Sequence, residues 1–293
     1  MDASTVDRER LAGLHRLVAH VHDRGVPQMA VPLAASDGNT FFETQGCFWQ
    51  LEPWMPGSAD FIARPSEQRL RAALACLARW HVAAASFVVR PHESPWFFVS
   101  PRARSPGLKE RAFQIERWRS AECALLRARL PALAWQEFEQ PALAVLDAFP
   151  RVAPRVAASL KIGIEADVPL QPCLRDIWHD HVLFTGEAVT GLIDPHAART
   201  DSVAADLARL LDTLAGDDRN QWDAGLASYQ EVRRLSAAEL ALIELFDQSG
   251  LLLSGMNWLD WHLVNKRTFA NRDGVLARLT SIAARLQRLA DQA

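Results

Sequence analysis

The stretch CLRDIWHDHVLFTGEAVTGLIDP, residues 173–195, crowds four acids and two histidines among apolar side chains. Residues 182–184 and 189–193 are short β-branched and aromatic runs on either side of Thr185-Gly186-Glu187, the pattern of a hairpin closed by a tight turn. Asp176 then stands just before the hairpin and Asp194 just after it, so folding the interval back lets both carboxylates face one cleft. Two such groups repel unless a cation or a shared proton relieves them. Mg²⁺ takes oxygen ligands and is commonly held by one or two carboxylates plus substrate phosphates. Metal-assisted phosphoryl transfer is therefore one reading, with one Asp accepting the proton of an attacking hydroxyl and the other holding the ion. The plainer reading is that Asp194, ahead of Pro195, only closes a turn.

Working outward, the periodicity predicts an amphipathic helix over residues 7–24, stopped by Gly25. NTFFETQGCFWQLEPW predicts two short strands, residues 40–43 and 47–51, joined at Gly46. Beyond PWMPGSAD the pattern is helical over 67–85, 108–127 and 135–160, with PRARSPG and the proline-bearing QPALAVLDAFPRVAP as breaks or kinks. After the hairpin, helices are predicted over 202–214, 220–233, 237–246, 251–269 and 274–289. No repeat or low-complexity tract occurs.

Composition narrows the classes. The chain has 32 basic and 35 acidic residues, interleaved, for a formal charge of −3, which argues against a nucleic-acid partner. No apolar run reaches the ~20 residues of a membrane span, and MDASTVDRER lacks the order of a secretory signal, so a cytoplasmic protein without a membrane partner is expected. The cysteines, Cys47, Cys76, Cys123 and Cys173, form no C-x-x-C pair and are expected as reduced, buried thiols.

With these elements in place, residues 173–195 resemble the catalytic core of the aminoglycoside phosphotransferase and choline kinase group, relatives of the protein kinases. There a pattern close to H-G-D-x-x-x-x-N precedes a hairpin and then I-D; here it reads Leu174-Arg175-Asp176, four residues, His181, the hairpin and Ile193-Asp194. The resemblance implies an α+β, protein-kinase-like two-lobe fold: a truncated small N-lobe over residues 1–57 and a large, mostly helical C-lobe over 58–293 carrying the catalytic hairpin. It implies ATP or GTP with Mg²⁺ as cofactors and a small-molecule hydroxyl acceptor such as an amino-sugar, amino alcohol or sugar. It makes Asp176 the catalytic-loop Asp, Asp194 the Mg²⁺-holding Asp, and puts His181 at the metal-binding Asn position. Asp206 in AADLARLL becomes a structural anchor, LARWH ending at His81 matches a Leu-x-x-x-His helix, and Glu52, Pro53 and Trp54 become the hinge whose main chain receives adenine.

The departures are specific. The glycine-rich hairpin and the Lys-bearing strand that should precede residues 7–24 are not in this chain, and no Lys precedes Lys109. Either that front end has been lost or an upstream start lies outside the chain; the second is favoured because a sheet shorn of strands exposes an unpaired edge. Leu14 falls where a Glu partner for that Lys belongs, with Glu9 nearby as an exposed first-turn acid. His181 in place of Asn weakens one metal position, since hard cations prefer oxygen. A weakened or inactive ligand-binding relative is thus the alternative to a small-molecule kinase. A metal-dependent hydrolase is a further one, because His179 and His181 would share a side of an extended segment, with Asp180 and His196 nearby. Trp258 and Trp261 are expected to pack a helical tail, and Asp217, Asp218 and Asp223 to be a solvated helix entrance.

Overall fold

In the computed structural model, which describes residue 1 and residues 6–130 and 135–292, the chain forms two compact units. The first comprises residues 1–104 and 167–243, the second residues 105–166 and 244–293.

The first unit opens with α1 (Arg8–Asp23), capped by the Asp7 side chain on the Arg10 amide and burying Leu11, Leu14, Leu17, Val18 and Val21 at helical spacing. Leu14, at the position of the missing Glu, is thus a core residue. The first hairpin pairs β1 (Phe42–Thr44) with β2 (Cys47–Trp49), shorter than the sequence suggests. Helix α2 (Glu67–Ala84) is capped by Ser66 and packs on the later α7 (Arg219–Val232). Close approach is possible because Gly225 faces Leu74 and Leu211, with no room for a Cβ.

Between them lies a sheet that periodicity did not disclose: β3 (Ser100–Arg104), β4 (Asp167–Cys173) and β7 (Arg199–Asp201), in the order β3-β4-β7 and antiparallel throughout. Strand β4, DVPLQPC, carries two prolines in a central position, which ordinarily argues against a strand. They are tolerated because β3 pairs only residues 167–170 and β7 only residues 171–173, so neither flank needs a complete ladder.

The expected second hairpin is β5 (Val182–Thr185) and β6 (Ala188–Leu192), turned by Gly186 at φ +60° followed by Glu187. It is held on both sides: Ser58 and Phe184 exchange main-chain hydrogen bonds of 3.0 and 2.9 Å, and the Leu192 amide donates to Gln28 at 2.8 Å. Gly57 makes the first contact possible. At φ +102° it sits where a Cβ would come 2.3 Å from Thr190 Oγ1 and 2.8 Å from the Phe184 carbonyl. Gly57→Ala should therefore cost about 2–4 kcal/mol, combining left-handed strain with overpacking against main chain. Urea unfolding would measure it, and a loss below ~1 kcal/mol would contradict this packing.

After β7 come α6 (Ala204–Ala215), α7 and the start of α8 (Ala237–Leu259). The expected interruption of α8 near residues 247–250 is not present; the helix runs through and ends in a π turn, Asp260–Val264.

The second unit holds α3 (Pro106–Arg117), a π turn, α4 (Cys123–Arg129), α5 (Gln136–Gly163), the rest of α8, and α9 (Arg272–Asp291). Helix α5 continues through Pro141, Pro150 and Pro154, where breaks or kinks were expected. Its stripe Phe138, Ala142, Val145, Phe149, Val152, Val156 and Leu160 is buried against α9, so packing offsets the lost main-chain hydrogen bonds. Gly255 of α8 lets that helix approach Val145, Ile282 and Leu286 closely. Trp258 and Trp261 pack edge to face on each other at 5.1 Å. Cys76 and Cys173 are buried free thiols, while Cys47 and Cys123 are only half-buried, a correction to the expectation for all four. Among the described residues no helix is long and apolar enough to cross a membrane.

Candidate functional site

The main chain of the loop after β4 is tied to one buried carboxylate. Asp206, in the first turn of α6, is fully buried and accepts from the Leu174 amide at 2.7 Å and the Arg175 amide at 2.6 Å. Its Oδ2 also accepts from His81 Nε2 at 3.1 Å, and His81 Nδ1 lies 2.8 Å from the hydroxyl of Tyr229, the one tyrosine of the chain. Burial holds the His81 pKa below its ordinary value, against the opposing pull of Asp206, so the ring is neutral: Nε2–H donates to Asp206 and Nδ1 accepts from Tyr229. The Tyr229 phenol is pushed up by the same burial, and the Cys173 thiol beside Asp206 is pushed well up as well. His81, Cys173 and Asp206 are close enough to surround an ion, but their lone pairs and protons are already committed, and the trio is a structural brace.

That brace shapes the loop. Arg175 takes a left-handed φ of +67°, and its guanidinium pairs with the buried Asp201 at 2.6 Å. The next residue, Asp176, is turned outward and half exposed, with Arg209 Nη2 and Nε at 3.1 and 3.3 Å from its Oδ1. Arg209 escaped the sequence reading. It lies three residues beyond Asp206 on α6, hence on the same helix face, and that spacing could have found it.

Asp194 closes the far end of the hairpin at φ +55°, exposed, with Oδ1 3.0 Å from His196 Nδ1. His181 stands between the two acids. Its Nδ1 donates to the Asp176 carbonyl at 2.8 Å, and its Nε2 accepts from the Trp178 indole N–H at 2.8 Å and lies 3.8 Å from Asp194 Oδ2. Both ring nitrogens are therefore engaged, and His181 would have to release Trp178 to ligate an ion. Asp194, with an exposed carboxylate, fits a hard cation as it stands. The His196 Nε2 atom beside it is buried without a partner, and Arg10 of α1 donates to the His196 carbonyl at 2.6 Å. Neither Arg10 nor Trp178 was foreseen.

His179 and His181 do not lie on an extended segment but on one turn of 3-10 helix, so the shared-side geometry for a metal pair is not met. Among the described residues no group of ligands able to surround one ion includes either of them.

The stretch Glu52-Pro53-Trp54 has no regular secondary structure, and among the described residues no hydrogen bond engages its main-chain groups. Pro53 has no N–H, leaving the amides of Glu52 and Trp54 as donors. Trp54 is 96% exposed. A side-chain chain leads here from α1: Thr40 to His15 Nδ1 at 2.7 Å, His15 Nε2 to Gln50 at 3.0 Å, and Gln50 to Glu52. Asp218 caps α7 through the Asn220 and Gln221 amides, in keeping with a helix entrance.

Burial lowers the pKa of both His81 and His15. In the unfolded chain each titrates near ~6.5. Below that pH the unfolded state takes up protons that the native state refuses, so stability falls as pH drops below ~6.5 until the native rings protonate in turn, with a slope of at most about 1.4 kcal/mol per pH unit for each ring. Denaturant titrations at several pH values would measure this slope; a flat profile would contradict neutral, buried rings.

A profile of the phosphotransferase enzyme family matches residues 1–242. The chain is 29% identical over 211 residues to the homoserine kinase of Methylorubrum populi, covering 68% of this chain and 55% of that protein, so it spans about half the length of that relative. It superposes on an aminoglycoside phosphotransferase from Alicyclobacillus acidocaldarius with a TM-score of 0.62 at 15% identity, covering 99% of this chain and 86% of that one. An amicoumacin kinase in complex with AMP-PNP, Ca²⁺ and Ami gives 0.60 at 14% identity, covering 98% of this chain and 79% of that one. With the braced loop, the acid-bounded hairpin and this match over most of its length, the chain belongs to the phosphotransferase enzyme family and has its α+β, protein-kinase-like fold with a small N-terminal lobe.

Proposed function

We propose that the chain carries the site for transferring the γ-phosphoryl group of ATP or GTP to the hydroxyl of a small molecule, with a division near residue 57 between nucleotide-covering and acceptor-binding lobes. The observation that carries this reading is the Asp206 brace: two main-chain hydrogen bonds to a buried carboxylate fix the loop that presents Asp176 outward, beside the acid-ended hairpin. In this reading Asp176 accepts the hydroxyl proton, Arg209 sets the orientation of its carboxylate, and the amides of Glu52 and Trp54 receive the base. Asp194 would hold Mg²⁺, with His181 available only after exchanging its Trp178 partner; the ion supplies charge neutralisation at the phosphates. The AMP-PNP and Ca²⁺ of the amicoumacin kinase support a nucleotide and a divalent cation, and the homoserine kinase supports a small acceptor. Arg209 beside Asp176 favours an acceptor with a carboxylate near its hydroxyl over a purely cationic one.

The test is transfer of labelled phosphate from ATP, with Mg²⁺, to a panel of homoserine, amino-sugars and amino alcohols. Asp194→Asn should abolish transfer to the acceptor that works. No transfer to any acceptor, with nucleotide binding retained, would favour the ligand-binding alternative, which has its own support in the engagement of Asp176 by Arg209.

A further inference from the structure

The second unit contains a cavity of about 970 Å³ between the end of α4, the start of α5, and the turn linking α8 to α9. That is within the roughly 300–1,000 Å³ typical of small-molecule sites. Arg129, Lys266, Arg267 and Arg272 line it, and no carboxylate does. Among the described residues none of the four pairs with an acid. Elsewhere in this unit Arg117, Arg127, Arg151 and Arg285 meet Glu or Asp partners.

Two of the cations rest on aromatic rings, and Arg129 donates to the Leu263 carbonyl at 3.4 Å. Arg272 lies over the Trp135 ring at 4.4 Å, and Arg267 over Trp261 at 5.2 Å, which orients each guanidinium while leaving its N–H edge able to donate. Trp135 is itself buried and packs edge to face on His262 at 5.3 Å, with Phe269 beyond. Lys266 takes a left-handed φ of +51°, and the Arg267 amide closes the turn on the Trp261 carbonyl at 2.8 Å, which presents the two adjacent cations together. A cleft lined by cations alone carries a positive potential that favours an anion.

We propose that this cavity binds a small organic anion, a flat apolar body bearing one or more carboxylate or phosphate groups, with the body against the Val264 and Phe269 side chains and the oxyanion held by the cations. The assignment does not depend on the phosphotransfer reading.

Calorimetric titration of the full chain, without nucleotide or metal, against 1-naphthoate, 1-naphthyl phosphate and the neutral 1-naphthalenemethanol tests it. At least one anion should bind saturably and about tenfold or more tighter than the alcohol, and which of the two binds more tightly tells carboxylate from phosphate. Lys266→Glu with Arg267→Glu, both exposed positions, should weaken binding at least about tenfold, the scale of one lost charge-assisted hydrogen bond. Arg272→Gln serves as an independent variant, with circular dichroism checking the fold of each. Absence of saturable binding by either anion, equal binding of the alcohol, or affinity unchanged in a folded charge-reversed variant would overturn the proposal.

Discussion

Replacing Asp206 by alanine will cost about 3–5 kcal/mol of stability, because it strands three donors at once in a fully buried place. The Leu174 and Arg175 amides lose their acceptor, and His81, at 0% exposure, loses the carboxylate on Nε2. No water-facing route can satisfy them without opening the contact of α6 with the loop. Denaturant unfolding would measure the loss, and amide exchange at residues 174 and 175 should accelerate by a larger factor than exchange in α9. Asp206→Asn should fall between the two, since its oxygen can still accept while its NH₂ meets a donor. A loss below ~1 kcal/mol for the alanine variant would mean that the loop is held by something else, and with it the argument that Asp176 is presented rigidly.

Asp176→Asn should leave stability nearly untouched and remove catalysis. Its carboxylate is half exposed and its ion pair with Arg209 is of the surface kind, worth at most about 1 kcal/mol. Loss of a positioned general base typically costs about 10²–10⁴ in rate. The proposed kinase predicts a fall of that size in kcat for phosphoryl transfer, with nucleotide affinity unchanged because Asp176 does not belong to the hinge. Arg209→Ala should act in the same direction more weakly and raise KM for an anionic acceptor. If Asp176→Asn turns over within about threefold of the parent chain, the proton is taken elsewhere, and the assignment of Asp176 fails while the fold stands.

These two residues show how unevenly the site could be read. Asp176 and Asp194 were visible because a period-2 hairpin with a Gly turn is a local signal, and the acids sit at its ends. Asp206 and His81 were visible only as a resemblance. That they share a hydrogen bond depends on α2 and α6 meeting across 125 residues of sequence. Tyr229, which completes the brace, had no signal beyond being a lone tyrosine on a helix. Strand β4 was missed although it delivers the loop, since its prolines forbid a regular ladder and only the split pairing with β3 and β7 accommodates them. The breaks expected in α5 and α8 erred the other way: local propensity favoured interruption, and burial of a long apolar face outweighed it.

By itself the sequence determined the elements whose signals are local: the capped helices α1 and α2, the Gly186 hairpin with an acid at each end, and a helical majority. Only the tertiary structure decided what those acids face. It engaged both nitrogens of His181, set Arg209 on Asp176, put Asp206 beneath the loop, and brought four cations without acid partners to one cavity. The reason is physical: periodicity and turn chemistry report on neighbours along the chain, whereas a side chain's charge partners and the water left to it are set by segments that meet only once the core has formed.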